Sequence, residues 1–137
     1  MTARFWPARG IWGASYRVMF PLTALWAVIS VALWHWGWAN LATQDPHVWH
    51  VHEMIFGLGG AALLGYLPSA CSSWTGRAPV SGWPVAGLAG LWVAARLGML
   101  FSGFISLELV AGVNALVFWA LALVLLLVPG STQAENA

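Results

Sequence analysis

Four apolar runs dominate this chain, each long enough to cross a bilayer, and they leave little for a soluble fold to use. Crossing the hydrocarbon core takes roughly 20 apolar residues as helix. The runs lie at Val18–Trp38, Trp49–Cys71, Trp83–Gly103 and Leu107–Val128. The first is too long for the apolar core of a signal peptide. The expected fold is therefore all-α: a polytopic membrane protein with four transmembrane helices, in one membrane domain over residues 1–137, with a polar tail at 129–137. Composition agrees. The chain is 61% hydrophobic and 7% charged, with mean hydropathy +0.79. Soluble domains carry about a quarter charged residues. A net charge of +1 and the lack of any lysine give no basic patch for nucleic acid. The lipid bilayer is the expected partner.

The links between runs set topology. A polar turn, "ANLATQDPHV", joins the first two; a loop, "SSWTGRAPVS", joins the next two. The last two are joined by a short link near Ile105, which requires an antiparallel hairpin. Arg4, Arg9 and Arg17 precede the first run and Arg77 lies in the second link, whereas Ala39–Val48 holds no arginine. The positive-inside rule then places both termini in the cytoplasm and the turn before the second run outside.

The few polar residues collect near that outer side. The stretch "DPHVWHVHEMIFGLGG" (Asp45–Gly60) carries His47, His50, His52, Asp45 and Glu53. His35 lies near the outer end of the first run, Arg96 in the outer part of the third, and Glu108 at the start of the fourth. Ionisable groups inside a bilayer cost several kcal/mol unless paired, so they mark a site by default. Imidazole suits haem iron and copper, and a neighbouring carboxylate can orient the ring. His50 and His52 are thus the metal candidates, with Glu53 and Arg96 completing a cofactor-binding set. His35, His47 and Glu108 rank second. Glu53, three residues after His50, is placed to orient that ring or to ligate. Arg96 suits a haem propionate, or an ion pair with Glu53 or Glu108, or stacking on Trp92 one turn earlier.

At 100° per residue, His50 and Glu53 head a stripe of small residues, Gly57, Ala61 and Gly65, where a helix or a flat ligand can approach closely. His52 points about 200° from His50, so one regular helix cannot aim both at one ion. Plainer readings stand beside these. His35 and His47 fit as interfacial anchors, the small stripe as helix packing, Arg96 and a glutamate as a structural pair. Cys71 reads as a packed thiol, and Asn114 as a hydrogen-bonding partner for a neighbouring helix.

Several ordered motifs carry a resemblance. They are "WHVHEMIFG" (Trp49–Gly57), "WTGR" (Trp74–Arg77), "GWP" (Gly82–Pro84), "LWVAAR" (Leu91–Arg96) and the lead-in "YRVMFPLTALWA" (Tyr16–Ala27). Together they resemble the NnrS family of bacterial membrane proteins, up to about Leu100. The resemblance implies a multi-pass inner-membrane protein that binds haem, and copper as a second metal. It also implies a place in denitrification or the nitric-oxide response, where the family relieves nitrosative stress. His50, His52 and Glu53 match the family's His-x-His-Glu run, and Arg96 matches its arginine. Family members are considerably longer and have more spans. The resemblance therefore implies either a truncated product, or a short form that completes its site by self-association or with a second membrane subunit. The alternatives are a cofactor-free membrane anchor or assembly subunit, and a small oligomeric transporter unit with Glu53, Arg96 and Glu108 along a polar path. Nothing in the residues points to catalytic turnover; the balance leans away from an enzyme.

Overall fold

The computed structural model describes residues 10–38 and 45–127. Arg4, Arg9 and the tail at 129–137 lie outside them, as do residues 39–44 of the first polar turn. Four helices within the described residues are long and apolar enough to cross a membrane, and no strand occurs there. After a short 3-10 turn at Gly10–Gly13 come α1 (Ser15–His35), α2 (Pro46–Thr75), α3 (Trp83–Leu100) and α4 (Leu107–Leu127). The all-α membrane architecture expected from hydropathy is the one found.

Local chemistry explains where α2 and α3 begin and end. Asp45 caps α2: its carboxylate accepts from the backbone N–H groups of His47 and Val48, while Pro46 takes the first position, where no N–H is needed. Gly76 ends α2 in the left-handed region at φ 65°. Gly82, at φ 75°, turns the chain into α3, with Pro84 in its first turn. Its N–H bonds to the Trp12 carbonyl and ties the 3-10 turn to that corner.

Inside α2, Pro68 cannot donate to the carbonyl four residues earlier. That carbonyl belongs to Leu64, and the buried Ser15 hydroxyl of α1 donates to it instead. A proline defect in one helix thus becomes a link between two.

α2 is not regular throughout. Residues Glu53–Gly59 form a π-helical segment between two α-helical ones. The wider turn shifts the facing of everything beyond it, and such segments often accompany functional sites.

Packing follows the small residues. Gly57, Ala61 and Gly65 are all buried. A Cβ at Gly65 would lie 2.8 Å from the Phe20 ring and 3.1 Å from Met19 Cβ on α1. Gly60 faces α4, where a Cβ would meet Phe118 at 3.3 Å. The stripe serves close helix approach. The main apolar core includes Met19, Leu64, Leu88, Trp92 and Val117, with contributions from all four helices. A second cluster, Trp49, Met99 and Val110, fills the end that carries His35 and Pro46.

Gly65 and Gly87 offer a direct test, since no atom lies within 4 Å of a Cβ at Gly87. Gly65→Leu should cost about 1–3 kcal/mol by overpacking, whereas Gly87→Leu should change stability little. Thermal unfolding of both variants in detergent reads the difference.

Candidate functional site

The polar residues meet between the two apolar clusters. Glu53 lies about 10 Å along α2 from its start at Pro46, at 1.5 Å per residue, and is fully buried. A carboxylate there must find donors inside the protein. It has three. Arg96 Nη1, from α3, donates to both oxygens at 2.8 Å. Trp26 Nε1, from α1, donates to Oε2 at 2.7 Å. His52 Nδ1 lies 3.1 Å from Oε1. A carboxylate paired with a guanidinium offers only acceptor sites, so the His52 nitrogen that faces it carries the proton.

Arg96 is 2% exposed, and its other terminal nitrogen is engaged as well. Nη2 donates to Asn114 Oδ1 of α4, and the Asn114 amide donates in turn to the Val110 carbonyl at 2.8 Å. The guanidinium also lies over the Trp92 ring, 5.7 Å from its centroid. Trp92 Nε1 donates to the Gly57 carbonyl at 3.1 Å, inside the π-helical turn. One network thus joins all four helices through Trp26, Glu53, Arg96 and Asn114.

Gly57 makes this possible. A Cβ there would lie 2.6 Å from Glu53 Oε2, 2.9 Å from Trp26 Nε1 and 3.0 Å from Arg96 Nη1. Any side chain at that position would displace part of the network.

The histidines separate. His52 is half-buried and lies beside Phe56, ring centroids 5.0 Å apart; Phe56 meets Phe118 of α4 edge-on. His50 stacks on Trp34 of α1 at 4.4 Å, and its Nδ1 is buried without a hydrogen-bond partner. The two therefore face different neighbours, as the spacing implied. His47 meets the edge of the same Trp34, and His35 is exposed at the end of α1. Glu108 is exposed in the first turn of α4, while Arg96 pairs with Glu53. Among the described residues no three His, Cys, Asp or Glu side chains gather as a metal-binding group.

The structure departs from the expected site at two residues. Glu53, placed by spacing to orient His50, contacts His52 instead. Arg96 and Trp26 draw the carboxylate inward, and the adjacent ring reaches its open side. Trp26, which the sequence does not single out as a site residue, is a buried donor. The only sequence signal was position: Trp26 sits in the middle of α1, away from its ends.

Four apolar helices clamped by a buried ion pair define a multi-pass helical membrane protein. Residues 10–136 match the family model described as NnrS protein. The chain belongs to the NnrS family. No curated protein and no solved structure matches it.

A double-mutant cycle tests the clamp. Arg96→Met leaves a buried carboxylate unpaired and should cost about 3–5 kcal/mol. Adding Glu53→Gln removes that charge and should restore part of the loss. Resistance to unfolding in mixed detergent micelles measures both steps.

Proposed function

We propose that the chain is an inner-membrane haem-binding protein of the nitric-oxide response, with His52 as the iron ligand. One observation carries this reading: the contact of His52 Nδ1 with the buried Glu53 carboxylate. An imidazole that donates one N–H to a carboxylate presents its other nitrogen as a better-oriented, more basic ligand. For His52 that nitrogen is Nε2. The half-buried ring sits beside the aromatic surface of Phe56 and Phe118, which suits a flat apolar macrocycle.

Haem, when bound, supplies an iron centre able to take a small diatomic ligand. The chain's own residues do the rest. Glu53 orients His52. Arg96 and Trp26 hold Glu53. Arg96 acts through Glu53 rather than on a propionate, because the guanidinium is buried and directed at Glu53 and Asn114. His50 fits less well than His52, since its free nitrogen is buried against packed protein. Copper fits less well than haem, for want of a gathered set of ligands among the described residues. The nitric-oxide role rests on family membership.

A second reading has its own support. The donors on Glu53 all come from this chain, so the polar cluster also fits a cofactor-free membrane anchor or assembly subunit. Optical and metal analysis separates the two. Protein purified in detergent from haem-replete cells should show a Soret band. His52→Ala should abolish or shift it, and His50→Ala should leave it in place. A folded, colourless preparation would favour the anchor and refute the haem reading.

A further inference from the structure

We infer that Trp26 is a positioning residue: its indole N–H turns the Glu53 carboxylate so that Oε1 faces His52, and thereby decides which His52 nitrogen is left to ligate. As a statement about ligation, this rests on the haem reading above. As a statement about the imidazole, it stands alone.

The carboxylate is held from two sides, by Arg96 and by Trp26. Arg96 Nη1 lies 2.8 Å from each oxygen. One donor placed evenly between two acceptors fixes the distance of the carboxylate but leaves it free to rock about that point. Trp26 Nε1 breaks the symmetry by taking Oε2 at 2.7 Å. Oε1 is then the oxygen turned toward His52.

The indole is itself fixed. Trp26 is buried and meets Trp92 edge-on, with centroids 6.1 Å apart and ring planes at 84°. Trp92 is anchored in turn to the Gly57 carbonyl.

The same Arg96 guanidinium holds a competing donor. Arg96 Nε is buried and has no hydrogen-bond partner. Arginine pairs best with carboxylate through two parallel N–H donors. Without the Trp26 N–H, the carboxylate gains by rocking toward Nε, and its hold on His52 weakens. His52 is then free to carry its proton on either nitrogen.

Trp26→Phe keeps an aromatic ring and removes the donor. The readout is the His52 tautomer in haem-free, detergent-solubilised protein with 15N-labelled histidine. It is recorded well above the ordinary imidazole pKa of about 6.5, and the signal is assigned by its loss in His52→Ala. Wild-type His52 should be almost wholly Nδ1-protonated, and Trp26→Phe should show a mixture of both tautomers. Haem affinity of Trp26→Phe should fall by about tenfold, at the lower end of what loss of an outer-shell partner costs. A pure Nδ1-protonated signal in folded Trp26→Phe overturns the inference. If that variant does not fold, wild-type protein decides: a mixed or Nε2-protonated His52 overturns it equally. A tautomer change in a protein that takes up no haem would sink the haem reading and leave the positioning of His52 by Trp26 standing.

Discussion

A charged carboxylate at the centre of an apolar bundle is the constraint that organises this structure. Glu53 is wholly buried, and in such surroundings an unpaired charge costs more than most single contacts return. Its two oxygens, with the donors from Trp26 on α1 and Arg96 on α3, prescribe where α1, α2 and α3 must sit relative to one another. Arg96 then extends the requirement to α4 through Asn114. Apolar packing alone would let these helices slide or rotate at little cost, because lipid is as apolar as leucine. The polar network removes that freedom and selects one arrangement.

Close approach is the second condition, and it comes from what α2 lacks. Gly57, Ala61 and Gly65 leave a shallow side on α2. At Gly65 the space is filled by Phe20 and Met19, an ordinary helix contact. At Gly57 it is filled by the ion pair and the indole N–H. The same small-residue pattern therefore serves packing at one end and polar chemistry at the other. The π-helical turn at Glu53–Gly59 belongs to this arrangement. Its Gly57 carbonyl receives the Trp92 N–H, so the widened turn is stabilised from the helix that also carries Arg96.

Hydropathy made the four helices legible because a span needs only length and apolarity, which a single sequence displays in full. The helix starts were less legible: the second run was expected from Trp49, whereas the Asp45 cap and Pro46 begin α2 three residues earlier. The site was legible in part. Scarcity of charge singled out Glu53 and Arg96, since a greasy chain has few groups able to satisfy one another. The open choice for Arg96 between Glu53 and Glu108 needed depth as well: Glu53 lies well inside α2, whereas Glu108 is in the exposed first turn of α4. Two things could not be read. A π-helical segment has no simple composition signature, so facing beyond Glu53 drifts from the regular 100° count. Trp26 looked like other tryptophans, because sequence does not reveal whether an indole N–H meets water or a buried carboxylate.

The different fates of His50 and His52 follow from these constraints. Both precede the π-helical turn on a regular segment, so about 200° separates them. His50 falls on the side where α1 supplies Trp34, and stacking uses its ring face while leaving Nδ1 buried and idle. His52 falls beside Glu53 and spends one nitrogen on the carboxylate. A ring held by its face has little reason to prefer either nitrogen as proton carrier. A ring held by one nitrogen has that preference decided for it, and its other nitrogen is thereby defined as a lone-pair donor. The carboxylate can impose that choice because Arg96 and Trp26 already hold it in place from the opposite side.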